Sequence, residues 1–350
     1  MKKTIPLVSV VMPVYNCSQY IDEAIESMLI QTYTNMEIFI IDDCSTDGTK
    51  EKIETWAKLD ERIRPIYKLV NSGYVDSLNL AIGLSNGGYI ARMDGDDISL
   101  PDRIAKQVLF METHKEIGLI GSGHRILGTN EIFEPIVDAR YIKIGLLLAN
   151  QFSHPTAFFR RSSIINLGRL YLSRFIPAED YEYWNFLSDK IIMGNIREVL
   201  LIYRSHSEGI SKKLPNDLNT IEVVKSSIKR LKDNPHEDSI LFISSLHGNG
   251  SKLKLAKCLE LIDFNIVFNE LKNFTRINYT LGIYDKKQFA RFVGLLLVIL
   301  CENYGWKKSY FITRNISSKI RISLIYLNYL LLPKSKSLKS YFFDFIPIGF

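Results

Sequence analysis

The first hundred residues alternate between short apolar runs and amphipathic stretches. The run at residues 7–14 is apolar and rich in β-branched side chains, and it predicts a first strand; residues 36–41 and 63–69 predict the second and third. Between the first two runs, apolar residues recur at helical spacing, at Tyr20, Ile21, Ala24, Ile25, Met28 and Leu29. The alternation predicts an α/β fold with a doubly wound parallel sheet flanked by helices.

An acidic cluster follows the next apolar run. Residues 89–94 are predicted to form a fourth strand, and Asp94, Asp96 and Asp97 lie at its end. Because alternate residues of an extended chain share a face, we expect Asp94 and Asp96 on one side and Asp97 on the other. Carboxylate oxygens are the ligands that Mg²⁺ and Mn²⁺ prefer, so the cluster predicts a divalent metal site. For an isolated cluster of this kind, the alternative is a solvated acidic turn.

Polar residues also follow the first two strands. Tyr15 and Asn16 come after the first strand, and Asp42 and Asp43 end the second. The carboxyl ends of parallel strands meet at one edge of a sheet, where ligands of such folds bind. We therefore expect these side chains and the acidic cluster to form one site.

The chain changes character after about residue 212. Residues 180–188 are predicted to form a helix and residues 196–204 a last strand, followed by a polar boundary at 207–215. We therefore predict a domain over residues 1–212 and a mainly helical region over residues 213–350. By our count, this second region carries 21 Lys and Arg against 11 Asp and Glu, a net charge of +10, whereas the whole chain carries +6.

Two apolar runs lie within the basic region, at residues 292–301 and 322–332. Both are shorter than the roughly 20 residues that span a bilayer. Flanking Lys and Arg residues make a membrane-surface location one expectation and an ordinary helical core with a basic face the other. Nucleic-acid binding is not expected, because the basic residues are spread among apolar helical positions rather than clustered with aromatic ones.

The cysteines and the N-terminus indicate a reducing compartment. Four cysteines lie far apart without a C-x-x-C pair, which argues against a zinc site or a disulfide framework. The apolar N-terminal run contains two prolines and lacks a small-x-small cleavage site. We expect the protein to be cytoplasmic, with a peripheral location at the inner face of the membrane as a further expectation.

An ordered set of motifs over about residues 6–212 resembles glycosyltransferase family 2, the inverting enzymes that use nucleotide sugars. The resemblance implies a GT-A fold, an α/β fold with a Rossmann-like, mixed, mostly parallel sheet flanked by helices. Each motif is weak evidence alone, but their shared order is specific. The matching segments are the opening strand at 8–16, the second-strand motif at 40–49, Asn71-Ser72-Gly73 with Asn79 and Ala81, Asp94-Gly95-Asp96-Asp97, Leu100-Pro101-Asp102-Arg103, His154-Pro155 with Arg160, Glu179-Asp180 with Trp184, and Tyr203-Arg204-x-His206.

The resemblance implies roles for the donor site. Asp43 would accept a hydrogen bond from the nucleotide base, and because a carboxylate selects the imide N–H of uracil, a UDP-sugar is the expected donor. Asp96 would hold Mn²⁺ or Mg²⁺, which bridges the diphosphate. The other implied roles are base packing for Tyr15, the site entrance for Pro13, a ribose and sugar contact for Asp94, a diphosphate contact for Arg103 (or a structural pair with Asp102 or Asp97), and a metal or diphosphate contact for His206.

The resemblance also implies a base and an acceptor side. Asp180 would take the proton from the attacking acceptor hydroxyl, with Glu179 beside it. Without the other motifs, Glu179-Asp180 would be interpreted as the acidic N-terminus of a helix. Trp184 would be a platform for the acceptor sugar or, equally, a core residue.

The expected function is transfer of a hexose or N-acetylhexosamine to a glycan or lipid-linked acceptor in capsule, O-antigen or exopolysaccharide synthesis. The alternative is a catalytically inactive protein of the same fold that binds a nucleotide sugar or a glycan. A nucleotidyltransferase would need a Gly- and Lys-rich loop after the first strand, which residues 15–19 do not provide. A glycoside hydrolase would not need a nucleotide site.

Overall fold

The structure is a computed structural model and describes residues 5–205, 217–246, 258 and 261–303. The chain divides into two compact units. The first unit contains residues 1–139 and 151–216, and the second contains residues 140–150 and 217–350. The domain boundary predicted at residue 212 stays a prediction, and the segment 140–150 was not foreseen as part of the second unit.

The first unit is an α/β sheet protein in which strands and helices alternate along the chain. Its strands are β1 (Val8–Val14), β2 (Met36–Asp42), β3 (Ile63–Tyr67), β4 (Tyr89–Arg92), β5 (Ile98–Ser99), β6 (Ile117–Ile126), β7 (Ile132–Phe133), β8 (Phe158–Arg160) and β9 (Ile192–Tyr203). Its longer helices are α1 (Ile21–Leu29), α2 (Thr49–Leu59), α3 (Tyr74–Leu84), α4 (Arg103–Thr113) and α7 (Glu179–Leu187). Helix α6 (Arg161–Ile164) is a single turn, and α5 (Ala139–Gly145) lies mostly in the second unit.

The strands form one mixed sheet in the order β3-β2-β1-β4-β8-β6-β9-β5, with β7 beside β6. The first four strands along the chain are parallel neighbours, as the βαβ pattern predicts. Strand β8 is antiparallel to both β4 and β6, whereas β9 runs parallel to β6. The carboxyl ends of β2, β1 and β4 therefore lie side by side at one edge of the sheet.

The sheet core consists of the apolar residues that define the sequence pattern. Alternate residues of β1, including Val8, Val10 and Met12, are fully buried and join the cluster formed by Ile21 and Ile25 of α1. This packing confirms the predicted apolar stripe of α1. Burial of such side chains contributes about 1.5–3 kcal/mol each, so the core fixes the positions of the strand ends.

Several predicted element ends differ from the structure: β3 ends at Tyr67 rather than at residue 69, and β9 begins at Ile192 rather than at residue 196. Strand β4 ends at Arg92, two residues before the predicted end, because the chain turns as it enters the acidic cluster. Ser99, which precedes α4, pairs with Leu201 in the short strand β5. Helix α4 begins at Arg103, with Asp102 at the N-cap position.

The described part of the second unit is helical. Besides most of α5, its helices are α8 (Asp217–Ile228), α9 (Glu237–Ser245), α10 (Phe264–Leu281) and α11 (Lys286–Asn303). The apolar run at 292–301 lies in α11, and the run at 322–332 lies outside the described residues. None of the helices built from described residues combines the length and the hydropathy needed to cross a bilayer.

Candidate active site

The loops that follow β1 and β2 are tied together at the carboxyl edge of the sheet. The backbone N–H of Asn16 donates to Ser45 Oγ at 2.9 Å, and the N–H of Thr46 donates to Asn16 Oδ1 at 2.8 Å. Asn16 and Cys44 both have positive φ values, 48° and 65°, which turn the chain sharply after each strand. These bonds fix the two loops relative to each other.

Asp43 is a buried carboxylate with one oxygen unused. It is 1% exposed, and Oδ1 lies 2.5 Å from Lys68 Nζ and accepts the N–H of Ser72 at 3.1 Å. Oδ2 has no hydrogen-bond partner among the described residues. Because an unsatisfied buried acceptor is costly, this oxygen is a candidate acceptor for a ligand N–H.

Pro13 and Tyr15 lie at the end of β1. Pro13 pairs with Ile41 of β2 and is buried, and the neighbouring strand β4 has already ended at Arg92. A proline is tolerated here because no further β4 residue requires its missing N–H. Tyr15 is 48% exposed, so its ring is accessible to a ligand at this edge.

The acidic cluster is a turn rather than an extended segment. Ligand oxygens of Asp94, Asp96 and Asp97 all lie within 4.8 Å of one another. The prediction that Asp97 points away from Asp94 and Asp96 is therefore wrong, because residues 95 and 96 form a turn and the alternation of an extended strand does not apply. The three carboxylates face one small space.

The C-terminal end of β9 holds the acidic turn in place. The N–H of Arg204 donates to Asp97 Oδ1 at 2.8 Å, and its Nε donates to the carbonyl of Asp96 at 2.8 Å. The same guanidinium also donates to Glu23 of α1 at 2.6 Å. Asp97 Oδ2 is buried and has no hydrogen-bond partner among the described residues. A residue more than a hundred positions away thus fixes the cluster while one oxygen stays unused.

Gly95 allows the acidic turn to approach β1 closely. A Cβ atom at this position would lie 2.7 Å from Val14 Cγ1 and 3.1 Å from Cys17 Sγ. Both neighbours are buried, so neither side chain can move aside without disturbing the core. The glycine therefore brings the carboxylates against the end of β1.

Arg92 is the counter-ion of this site, and the sequence analysis missed it. Its side chain is buried at the end of β4 and donates to Asp94, and its Nε has no hydrogen-bond partner among the described residues. Its positive charge also acts on Asp97 and on Glu179. The available signal was a charged residue inside an apolar strand two positions before the acidic cluster, because a buried charge requires a partner.

Burial and mutual repulsion raise the pKa values of the cluster. Desolvation, opposed by Arg92 and reinforced by Asp96, raises the pKa of Asp94 to about 6. Desolvation and the charges of Asp94 and Asp96 raise the pKa of Asp97 well above its usual value. The three carboxylates therefore carry a repulsion that a bound cation would relieve.

Arg103 is a buried structural residue. It is fully buried, and its guanidinium donates to the carbonyl of Arg92 at 2.6 Å and to Gln107 Oε1 at 3.1 Å. Asp102, one predicted partner, instead pairs with Lys106 at 2.6 Å. This placement favours a structural role over the predicted diphosphate contact, because a side chain enclosed by protein does not reach a ligand. Through Arg92, Arg103 supports the end of β4.

Glu179 and Asp180 form the first turn of α7 and differ in environment. Glu179 is 4% exposed, its carboxylate is hydrogen-bonded to the hydroxyl of Tyr74, and its Oε1 lies 3.8 Å from His154 Nδ1. Asp180 is half-buried, and its Oδ1 accepts the N–H of Tyr181 at 2.6 Å. Of the two carboxylates, Asp180 is the more accessible to a substrate.

Trp184 lies inside an aromatic cluster. It is fully buried, with its ring centroid 5.8 Å from Phe159 and 5.4 Å from Phe152. A sugar stacks only on an exposed ring face, so this placement favours the core alternative over the acceptor platform. Packing in this cluster holds α7 in place. His206, the predicted metal or diphosphate contact, lies outside the described residues.

The environment of Glu179 predicts a pH-dependent stability. Desolvation and the charge of Asp180 raise the pKa of Glu179 to about 7, against a usual value of 4.5. The folded state therefore binds this proton more tightly than the unfolded state. The proton's contribution to the free energy of unfolding is complete below pH 4.5 and is lost as the pH rises through 7. In the wild type, the free energy of unfolding should therefore fall by on the order of 2 kcal/mol over this pH range because of Glu179, and Glu179→Gln is expected to remove that fall.

The measurement is the free energy of unfolding by denaturant at several pH values between 4 and 8. Glu51→Gln, which changes an exposed glutamate of α2, serves as the control and should leave the dependence unchanged. A Glu179→Gln variant with the same pH dependence as the wild type would contradict the assigned pKa.

Comparisons with known proteins agree with this architecture. A family model described as glycosyl transferase family 2 matches residues 9–167. The UDP-Glc:alpha-D-GlcNAc-diphosphoundecaprenol beta-1,3-glucosyltransferase WfaP of Escherichia coli is 33% identical to this chain over 223 residues, which are 63% of this chain and 86% of WfaP.

Two solved structures share the fold. The crystal structure of S. aureus TarS 1–349 in complex with UDP-GlcNAc matches with a TM-score of 0.57 and 16% identity, over 83% of this chain and 86% of that chain. The mannosyltransferase PcManGT from Pyrobaculum calidifontis, in complex with GDP-Man and Mn²⁺, matches with a TM-score of 0.52 and 16% identity, over 87% and 88%. At this level of identity, the two matches confirm the predicted fold class.

Proposed function

We propose a function from one established premise, which is that the chain belongs to glycosyltransferase family 2 and is a glycosyltransferase. It transfers a sugar from a UDP-sugar to a glycan or lipid-linked acceptor during synthesis of a cell-surface polysaccharide, with inversion at the anomeric carbon. The observation that carries the proposal is the edge of the sheet at which Asp43, the acidic turn and Arg92 are held by buried contacts.

The donor proposal rests on the unused oxygen of Asp43. Oδ2 is a buried acceptor, and the imide N–H of uracil is a donor that cytosine lacks at the same position. The exposed ring of Tyr15 supplies a surface on which a base can pack. WfaP carries UDP-Glc in its name and TarS was solved with UDP-GlcNAc, which supports a uridine nucleotide here.

Asp43→Asn is expected to weaken UDP binding about tenfold and to leave CDP binding unchanged or stronger. The amide can donate to the cytosine ring nitrogen, whereas the carboxylate can only accept. Calorimetric titration with UDP and with CDP measures the ratio. Glu61→Gln, at an exposed position, is the control, and an unchanged ratio of UDP to CDP affinity in Asp43→Asn would contradict the assignment.

The acidic turn fits a divalent cation. Three carboxylates within 4.8 Å, one of them with an unused buried oxygen, form an all-oxygen donor set of the kind that Mn²⁺ and Mg²⁺ prefer. Asp96 and Asp97 would hold the ion, with Asp94 kept by Arg92 toward the sugar and ribose. When bound, such an ion neutralises the charge that develops on a departing nucleoside diphosphate. The structure of PcManGT with Mn²⁺ supports this assignment.

Asp180 is proposed as the base. Direct displacement requires the acceptor hydroxyl to lose its proton as it attacks, and a carboxylate within hydrogen-bond reach accepts it. Asp180 is accessible, whereas Glu179 is engaged by Tyr74 and buried. Glu179 would position the first turn of α7 and thereby orient Asp180.

The test of the whole proposal is release of UDP from UDP-glucose or UDP-GlcNAc in the presence of a polyprenyl-diphosphate-linked sugar, with and without Mn²⁺. Acceptor-dependent release that requires the ion supports transfer. Nucleotide binding without release, for every donor and acceptor pair tried, would favour the inactive binding protein instead. Analysis of the product's anomeric configuration then checks inversion.

A further inference from the structure

A groove in the second unit is lined mainly by cationic and amide side chains. It has a volume of about 590 Å³ and is bordered by Lys232, His236, Ile266, Asn269, Glu270, Lys272, Asn273 and Arg276. Among these residues, three full positive charges face one negative charge. The groove belongs to the second unit alone, and no role in the proposed transfer has been given to it.

One face of α10 forms a wall of the groove. Residues 266, 269, 270, 273 and 276 are spaced by three or four positions along the helix, so their side chains lie on the same face. The opposite border is the connection between α8 and α9, which supplies Lys232 and His236. The groove thus has donor groups on both of its sides.

The carboxylate of Glu270 pairs with the groups on the opposite border of the groove. It is 6% exposed, accepts from Lys232 Nζ at 2.5 Å, and accepts the backbone N–H of His236 at 3.0 Å. The Nδ1 of His236 in turn accepts the N–H of Asp238, which caps α9. The single acidic residue therefore holds the two borders together rather than compensating the cations of α10.

Lys272 and Arg276 are the uncompensated cations. Both are exposed, and neither has a carboxylate partner within the part of the chain that the structure describes. Lys272 Nζ lies 5.5 Å from the ring centroid of Phe268, which keeps the lysine on the helix surface. Two such cations beside amide donors are suited to a multivalent anion with several acceptor oxygens.

We propose that this groove binds a diphosphate group, and specifically the diphosphate of a lipid-linked glycan. The choice of a lipid-borne source rests on the proposed function, which includes an acceptor of that kind. The phosphate oxygens would accept from Lys272, Arg276 and the amides of Asn269 and Asn273. The groove is a binding site for the carrier part of the acceptor and takes no part in the chemical step.

The test compares two double variants of the full chain that lose the same charge. Lys272→Gln/Arg276→Gln removes the free cations of the groove, and Lys225→Gln/Lys229→Gln removes two exposed lysines of the second unit that do not line it. Inorganic pyrophosphate is titrated calorimetrically in the presence of EDTA and without donor. The groove variant is expected to bind at least tenfold more weakly, and the control within twofold of the wild type.

Vesicle sedimentation then separates the sources of the diphosphate. Phosphatidylcholine vesicles containing a polyprenyl diphosphate should retain the wild type and the control but not the groove variant. Vesicles with phosphatidylglycerol at equal surface charge should retain all three proteins alike. If the wild type, the control and the groove variant were retained equally on both vesicle types, the assignment to a lipid-linked diphosphate would be overturned, even where pyrophosphate binds the groove.

Equal losses of pyrophosphate affinity in the two double variants would overturn the groove as the binding site, because they would show that the anion is attracted by the net charge of the protein alone. Lys272→Arg, which keeps the charge, should retain binding, and an unfolding transition of the groove variant that matches the wild type excludes misfolding as the cause of its loss. Transfer to a soluble acceptor sugar should be unchanged in the groove variant. Loss of that activity in the groove variant would contradict the separation of the groove from the chemical step, whereas absence of transfer in the wild type would count against the proposed function.

Discussion

Asp180→Asn is expected to lower the rate constant of sugar transfer by about 10²–10⁴-fold, the range that a positioned general base contributes. The amide keeps the size of the side chain but cannot accept a proton. Because the side chain lies in the first turn of α7 and is only half-buried, the substitution should leave the fold and the affinity for UDP unchanged.

The measurement is kcat for transfer together with the dissociation constant for UDP. Asp189→Asn, the same substitution at an exposed position two residues beyond α7, is the matched control and should stay within about twofold of the wild type. A fall in nucleotide affinity without a fall in kcat would assign Asp180 to the donor site instead.

Glu179→Gln distinguishes the two adjacent carboxylates. The buried Glu179 is engaged by Tyr74, so its replacement should reduce kcat less than Asp180→Asn and should change the pH dependence of stability. If Glu179→Gln abolished transfer and Asp180→Asn retained it, the roles of the two residues would be reversed.

The sequence predicts the centre of the sheet well because strands β1, β2 and β4 are almost entirely buried. In β1, β2 and β4, apolar residues occupy both faces, and the intervening helices carry one apolar stripe each. Such patterns are local, and they determine the element order and the parallel pairing. The acidic residues at the strand ends are also local features, so the location of Asp43 and Asp94 at one edge follows from the pattern.

The contacts that complete the site are not local. Tyr74 reaches Glu179 across a hundred residues of sequence, and Arg204 reaches Asp97 across a similar distance. Neither contact leaves a periodic signal in the sequence. The side on which Asp97 lies depends on a turn at residues 95 and 96, which the strand pattern assigned to extended chain.

Arg92 and Arg103 show the same limit for charged residues. Both lie beside the acidic cluster in sequence and both are buried, so only their hydrogen-bond partners separate a counter-ion from a structural support. Arg103 is closed off by Gln107 and the carbonyl of Arg92, whereas Arg92 donates directly to Asp94. The partner that each arginine reaches depends on the packing of α4 against the sheet, which a single sequence does not specify.

Arg92→Met is expected to be the most destabilising single substitution in the site. It removes the partner of Asp94 and leaves that carboxylate beside Asp96 and Asp97 without a counter-ion. Breaking a buried ion pair from one side costs about 3–5 kcal/mol. The measurement is the free energy of unfolding by denaturant, with Arg64→Met at an exposed position of β3 as the control.

The double variant Arg92→Met/Asp94→Asn tests the cause of that loss. Removing both charges leaves no uncompensated carboxylate at position 94, so about 2 kcal/mol or more of the stability should return relative to Arg92→Met alone. Transfer activity should not return with it, because the double variant also lacks the carboxylate proposed to face the donor sugar. A double variant no more stable than Arg92→Met would mean that the arginine stabilises the fold through packing of its side chain and not through its ion pair with Asp94.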